Sequence, residues 1–91
     1  MGEARREVTI VNKRGLHARA SAKFVAAVAQ MEGSEVRVAK DGGCAAGGSI
    51  LGLMMLGAAK GDAVELSVTG LSAEERLAEL VAMIEDGFGE D

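Results

Sequence analysis

Three short segments of the chain alternate polar and apolar side chains, which is the two-residue period of a half-buried β-strand. These segments are residues 7–11, 35–40 and 63–68. Asp41-Gly42, directly after the second segment, is a strong signal for a two-residue hairpin turn that leads into a short strand at residues 44–46. We therefore expect four strands, with the second and third paired antiparallel.

Apolar residues recur at helical spacing in two other regions. The first helix begins at Ala18, with Gly33 where a left-handed terminator is expected, and its apolar positions are Phe24, Val25, Val28 and Met31. The last helix opens on a capping box at Ser72 to Glu75. Its core stripe is Leu77, Leu80, Val81, Ile84 and Phe88. Both helices should bury one face against the sheet.

A shorter helix is predicted for residues 50–56, with Ser49 as its N-cap and Gly57 as its end. The order strand, helix, strand, strand, helix, strand, helix suits an antiparallel sheet with all helices on one face. We expect an α+β open-faced sandwich of four strands and three helices. No repeat or linker divides the sequence, so residues 1–91 should form one domain.

The composition limits the chemistry that the chain can support. A domain of 91 residues buries only about 60% of its unfolded surface, which leaves no room for a deep catalytic cleft. Phe24 and Phe88 are the only aromatic residues and offer no stacking platform for bases. The single Cys44 and single His17 exclude an internal disulfide and a Cys/His zinc site, and Cys44 is expected to be inert. We expect no cofactor and no metal.

Hydropathy and charge indicate the cellular location of the chain and the kind of partner that it binds. No signal peptide precedes the first strand, and the longest apolar run, residues 50–59, is far short of the roughly 20 that span a membrane. A cytoplasmic protein without membrane insertion is expected. Net charge is −4, yet residues 1–30 carry six basic side chains against two acidic ones. This local basic patch argues against general nucleic-acid binding and for an acidic partner or a phosphate.

His17 is placed at the start of the first helix, next to Arg19. The unpaired N–H groups and the positive dipole end there favour an anion and disfavour an imidazolium. A neutral His17 would have a lone pair free to attack phosphorus, and Arg19 could pair with the oxygens of the attached phosphate. The plain alternative is a capping histidine beside a surface arginine, and the residues alone favour that alternative.

The segment Gly15-Leu16-His17-Ala18-Arg19 resembles the active-site motif of HPr, the family of histidine-containing phosphocarriers in the bacterial phosphoenolpyruvate-dependent phosphotransferase system. The order of elements, residues 49–56 and the Lys60-Gly61-Asp62 turn resemble that family too. The resemblance therefore covers nearly the whole chain.

The resemblance implies a monomeric carrier without turnover of its own. His17 would be phosphorylated on Nδ1 by enzyme I, which takes its phosphate from phosphoenolpyruvate, and would then donate to an enzyme IIA domain. Arg19 matches the arginine that pairs with the phosphate and with acidic groups on both partners. Ala20 stands where the family usually has proline, which implies a slightly more mobile turn with the chemistry intact, and it is also expected at the docking surface.

The resemblance also assigns roles to residues 49–56. A short helix that is apolar nearly all round cannot bury every side chain, and the family places Ile50, Leu51 and Met54 on a docking surface. Leu53 and Leu56 are expected in the core.

Ser49 matches a regulatory serine phosphorylated by an ATP-dependent HPr serine kinase/phosphorylase. A phosphate there adds roughly two negative charges and should slow phosphorylation of His17.

Two alternatives stay open at this point. The same carrier chemistry could serve a nitrogen-related regulatory relay instead of sugar transport, since residues 87–91 resemble the end of that branch of the family. A different class would be a binding module switched by phosphorylation of Ser49, with His17 idle.

Overall fold

The computed structural model describes residues 2–90, in which four antiparallel strands form one sheet in the order β1-β4-β2-β3. The strands are β1 Gly2–Thr9, β2 Ser34–Lys40, β3 Gly43–Ala46 and β4 Ala63–Gly70. The hairpin predicted at Asp41-Gly42 joins β2 to β3, with Lys40 paired to Gly43. The predicted pairing of the second and third strands is confirmed.

β1 begins earlier and ends earlier than the pattern predicted. It pairs with β4 along its whole length, from Gly2 opposite Gly70 to Thr9 opposite Ala63. Arg6 lies at an inward position by the two-residue period but is charged and exposed. The first half of the strand therefore does not alternate polar and apolar residues, and the pattern did not predict it. Val11 lies beyond the strand and is exposed, so the predicted range 7–11 was wrong at both ends.

The helices are α1 Ala18–Ala29, α2 Ile50–Met55 and α3 Ala73–Glu85, and a 3₁₀ turn follows at Gly87–Gly89. The predicted order of elements is confirmed. α1 ends at Ala29 with Gln30 as its C-cap, so Gly33 does not terminate it. Gly33 instead has a left-handed φ of +86° in the turn before β2. Gly57 closes α2 as predicted, with a left-handed φ of +66°.

The capping box predicted at the start of α3 is wrong. Ser72 is the N-cap, but its backbone is left-handed, with φ 52° and ψ 37°, and its side chain makes no capping hydrogen bond to any described residue. A serine that caps with its hydroxyl normally has an extended backbone, which aims the oxygen at the free N–H groups. Glu74 and Glu75 still place negative charge in the first turn, where it complements the helix dipole.

The core lies between one face of the sheet and the helices. The predicted stripe of α3 is buried against β1 and β4, and Phe88 is buried in the turn that follows the helix. The other face of the sheet carries exposed charges, including the ion pair of Arg5 with Glu3 at 3.0 Å. The fold is therefore an open-faced α+β sandwich, as predicted. Within residues 2–90, no helix has the length and apolar character needed to cross a membrane.

Candidate functional site

The loop from β1 to α1 is held against the segment that follows α2. The Ile10 N–H donates to the Asp62 carbonyl at 2.9 Å, and the Leu16 N–H donates to the Ala58 carbonyl at 3.0 Å. Gly15 has a left-handed φ of +61°, and a Cβ there would collide with the carbonyl oxygen of Ala58. Glycine is required at this position because both its conformation and its close approach exclude a side chain. This loop fixes where the next residues, Leu16 and His17, can lie.

His17 is the N-cap of α1, with an extended backbone of φ −71° and ψ 178°. Its Nδ1 accepts a hydrogen bond of 3.3 Å from the backbone N–H of Arg19. A backbone N–H can only donate, so Nδ1 carries no proton in this arrangement. The proton of the neutral ring therefore belongs on Nε2. The plain capping role considered from the sequence is present, and it leaves Nδ1 at the positive end of the helix.

The other nitrogen of His17 faces a carboxylate from the far end of the chain. Nε2 lies 2.6 Å from Oε2 of Glu90, and the side chains of the two residues are only 15% and 19% exposed. The second oxygen, Oε1, accepts 3.1 Å from Nδ2 of Asn12. The hydrogen bond from His17 lowers the pKa of Glu90, and the bond from Asn12 and the charge of Lys23 act in the same direction.

Asn12 and the C-terminal turn (residues 87–90) hold Glu90 in place. Asn12 is buried, and its Nδ2 also donates to the carbonyl of Gly15 at 2.8 Å. Its Oδ1 is buried without a hydrogen-bond partner among residues 2–90. Lys23 Nζ donates to the Phe88 carbonyl at 2.7 Å, and the buried Phe88 ring anchors the turn.

The sequence-based search identified neither Asn12 nor Glu90. The one signal at Glu90 was the pair of glycines in Gly87-Phe88-Gly89, both of which have left-handed φ angles. Neighbouring glycines of this kind indicate a tight turn that brings the chain end back to the protein.

The other predicted residues of this site differ in exposure. Arg19 is exposed, and its guanidinium makes no hydrogen bond or ion pair with a described residue, so it is free to pair with an anion. Ala20 lies inside the first turn of α1 and is 0% exposed. Its predicted role in partner docking is therefore wrong, because its methyl group points into the core and offers no surface to a partner.

Ser49 and α2 form a second part of the site. Ser49 is the N-cap of α2, and its hydroxyl oxygen accepts 3.0 Å from the N–H of Gly52, as predicted. Leu53 is buried and Leu56 is partly buried against the core. The remaining large side chains of α2 are exposed and form what we call the α2 apolar surface: Ile50, Leu51, Met54 and Met55. Met55, the most exposed of the four, was not singled out from the sequence.

No group of three or more His, Cys, Asp or Glu side chains within residues 2–90 is arranged to hold a metal ion. Cys44 is a free, exposed thiol on β3.

Residues 4–86 match the family model described as the PTS HPr component phosphorylation site. The chain belongs to the HPr family. The phosphocarrier protein HPr of Neisseria meningitidis serogroup A is 45% identical, over 94% of this chain and 96% of the relative. The phosphocarrier protein NPr of Escherichia coli K12 is 39% identical, over 92% of this chain and 93% of the relative.

Solved HPr structures share the fold. HPr-C-His from Thermoanaerobacter tengcongensis superposes with a TM-score of 0.88 at 41% identity, covering 100% of this chain and 99% of that one. A crystallised HPr dimer from the same organism gives a TM-score of 0.74 at 42% identity, covering 93% and 99%. As a member of the HPr family, the chain is a phosphocarrier of the phosphotransferase system and not an enzyme.

Proposed function

We propose that Nδ1 of His17 accepts a phosphoryl group from phosphorylated enzyme I, which is charged by phosphoenolpyruvate, and passes it to an enzyme IIA domain. The observation that carries the proposal is the difference between the two ring nitrogens. Nε2 is covered by Glu90 at 2.6 Å, whereas Nδ1 accepts a hydrogen bond of 3.3 Å from the backbone N–H of Arg19 and has no other hydrogen-bond partner among residues 2–90. Nδ1 is therefore the ring nitrogen that an incoming phosphorus atom can reach.

The start of α1 supports the product of the transfer. When the Nδ1 lone pair forms the bond to phosphorus, the Arg19 N–H loses its acceptor and can donate to a phosphate oxygen instead. The dipole of a 12-residue helix favours the added negative charge by about 0.3–1 kcal/mol at an exposed end. The exposed guanidinium of Arg19 can add charge-assisted hydrogen bonds to the same oxygens and to acidic groups of a partner.

Partner docking is assigned to Ile50, Leu51 and Met54, joined by Met55. Two features support this assignment: these side chains form one exposed apolar surface, and α2 packs against α1, the helix that carries His17. Methionine is flexible and polarisable, so a surface that contains it can adapt to both a donor and an acceptor. The same surface can serve enzyme I and enzyme IIA in turn.

Phosphorylation of Ser49 by an HPr serine kinase/phosphorylase is the proposed regulation. The hydroxyl of Ser49 stands at the start of α2, beside the α2 apolar surface. A phosphate at a helix N-terminus is compatible with the fold. The same phosphate places roughly two negative charges where an acidic partner would dock, so transfer to His17 should slow.

The relatives support two outputs for this carrier, because they include proteins named HPr and proteins named NPr. Sugar transport is the main proposal, and a nitrogen-related regulatory relay is the alternative. The enzyme IIA domain that removes phosphate from the chain distinguishes the two. A cytoplasmic monomer is proposed in both cases, and light scattering of the purified chain tests the monomer.

The direct test incubates the chain with phosphoenolpyruvate, magnesium and enzyme I from the same organism, followed by intact mass measurement. The expected result is one acid-labile phosphate on the wild type and none on His17→Ala. Arg19→Ala should still take up phosphate, but about tenfold more slowly, because it lacks one charge-assisted pair. A wild type that gains no phosphate would contradict the proposal and favour a binding module switched through Ser49.

A further inference from the structure

The ring of His17 is held from both sides by groups of opposite character. On one side a backbone N–H points at Nδ1, and on the other a carboxylate oxygen faces Nε2. Only one arrangement of the proton satisfies both neighbours: Nε2 is protonated and Nδ1 is free. Rotation of the ring by 180° would replace Nε2 with a carbon at Glu90 and lose this hydrogen bond.

Glu90 is itself held in position by residues from other parts of the chain. Its Oε1 accepts from Asn12, whose burial leaves the amide few alternative orientations. The backbone N–H of Glu90 donates to the Gly87 carbonyl at 3.0 Å, and Lys23 binds the neighbouring Phe88 carbonyl. Because its position is fixed before any partner arrives, the carboxylate can orient His17 without an ordering cost during the reaction.

We propose that Glu90, oriented by Asn12, is a positioning residue that keeps one proton on Nε2 of His17 while Nδ1 takes up and releases the phosphoryl group. This inference rests on the proposed function and deepens it. Glu90 does not touch the phosphoryl group, which would be attached at the other nitrogen of the ring.

The proton on Nε2 of His17 stays in place through both steps of the transfer. In uptake, the Nδ1 lone pair forms the new N–P bond while the bond from phosphorus to the donor histidine breaks, and its electron pair returns to the donor. The phosphorylated ring of His17 then carries a positive charge, with its proton still on Nε2 beside the Glu90 carboxylate. In release, the N–P electron pair returns to Nδ1 and leaves a neutral ring. No proton enters or leaves His17 in either direction.

The carboxylate has a specific electrostatic part in this cycle. The Glu90 carboxylate lies 2.6 Å from Nε2 and balances the positive charge of the phosphorylated ring. It lies on the side of the ring away from the incoming phosphate. An amide at the same place could accept the hydrogen bond but could not balance that charge. Glu90 is therefore expected to favour uptake and release together, whereas a docking residue would affect the partner that it contacts.

The test compares Glu90→Gln with Glu85→Gln, a matched loss of one carboxylate at an exposed position of α3. Proton NMR measures exchange of the His17 Nε2–H with water, and rapid-quench kinetics measures uptake from enzyme I and release to enzyme IIA. For Glu90→Gln we expect exchange at least about tenfold faster and both transfer rates about tenfold lower. Glu85→Gln should match the wild type in all three measurements.

Wild-type exchange and transfer rates in Glu90→Gln would overturn the inference. So would faster exchange with unchanged transfer, or a loss of transfer with one partner alone. The backbone amide spectrum of each variant provides a check that the sheet and α1 are intact. If the wild type takes up no phosphate, the proposed function fails, and the exchange measurement alone then decides whether Glu90 holds the ring proton.

Discussion

His17 and Ser49 occupy the same position in their helices, the N-cap, yet their surroundings differ. The side chain of His17 is contacted on both sides, by the Arg19 N–H and by Glu90. Ser49 makes one capping bond, to Gly52, and opens a six-residue helix whose large apolar side chains are exposed, apart from the buried Leu53. The comparison teaches that a cap position alone assigns no chemistry. The contacts around His17 suit the nucleophile that we propose, whereas Ser49 borders the α2 apolar surface, which we propose for docking.

The two caps also lie at opposite ends of a connected structure. The loop that precedes His17 contacts Ala58, just beyond the C-terminal end of α2, while Ser49 is at the N-terminal end. Six helical residues span about 9 Å. A charge placed on Ser49 is therefore about one screening length in physiological salt from the other end of α2, and we expect it to act through space on a partner that docks on this helix.

The largest expected effect is a difference in stability between the loop before His17, which is tightly packed, and the end of α2, which is not. Gly15→Ala should lower the free energy of unfolding by about 3 kcal/mol, because a left-handed alanine is strained and its Cβ collides with Ala58. Gly57→Ala, at the end of α2, has the same sign of φ but open space around a Cβ, and should cost about 1 kcal/mol. Urea unfolding measures both. Equal losses would contradict the close packing of the His17 loop.

The next prediction concerns the α2 apolar surface. Leu51→Glu should raise the KM for enzyme I about tenfold, because a charge replaces a side chain that is 68% exposed in the free chain and buried in the proposed complex. Leu71→Glu is the matched control, since Leu71 is 57% exposed at the far end of β4. Steady-state transfer kinetics with both variants is the measurement. The docking assignment fails if the two substitutions have the same effect.

A smaller effect is expected at Ser49. One negative charge about 9 Å from an acidic group of a docked partner would cost about 0.5 kcal/mol in water, so Ser49→Asp should slow His17 phosphorylation about twofold. Aspartate is also a good N-cap and should preserve stability. Ser49→Ala should keep the normal transfer rate, because it adds no charge, but should lose about 1 kcal/mol of stability, because it loses the capping hydrogen bond. Transfer rates together with urea unfolding separate charge from capping, and identical rates for the two variants would contradict the regulatory proposal.

The smallest effect is the pH dependence of the Glu90 contact. Its pKa is lowered mainly by the hydrogen bond from His17, and the hydrogen bond from Asn12 and the charge of Lys23 act in the same direction. A carboxyl group with a lowered pKa stabilises the fold above its ordinary value, about 4.3, and loses that contribution as pH falls through the lowered value. The difference in unfolding free energy between wild type and Glu90→Gln should therefore shrink as the pH falls below about 4.3 and through the lowered pKa of Glu90. A difference that stays constant as the pH falls would contradict the hydrogen bond between His17 and the Glu90 carboxylate.

Local features of the chain were predictable from the sequence. The Ser49 cap, the turn at Asp41-Gly42 and the buried stripe of α3 each depend on residues close together in sequence. Their signals are the hydrogen-bonding capacity of a hydroxyl, the tolerance of glycine for left-handed φ and the period of a helix. Partial exposure of α2 also followed, because a short helix that is apolar all round has more apolar surface than one face can bury. Which side chains are exposed, among them Ile50, Leu51 and Met54, was implied by the resemblance to the family.

The long-range part of the site was not predictable in the same way. Glu90 reaches His17 across 73 positions of sequence, and Asn12 reaches Glu90 across 78. These contacts depend on where the C-terminal turn packs, which is decided by burial of Phe88 with a left-handed φ of 58°. The missing capping bond at Ser72 has a similar origin, because its left-handed φ could not be inferred from residue types that normally signal a cap.

The central claim, that His17 is a carrier, is tested most directly by a chase. The chain is phosphorylated by enzyme I, purified away from phosphoenolpyruvate and mixed with the enzyme IIA domains of the same organism, and the masses of both proteins are followed over time. The account predicts that one acceptor gains the phosphate that the chain loses, with no transfer from His17→Ala taken through the same steps. Phosphate that stays on the chain, or that is lost only to water, would contradict it.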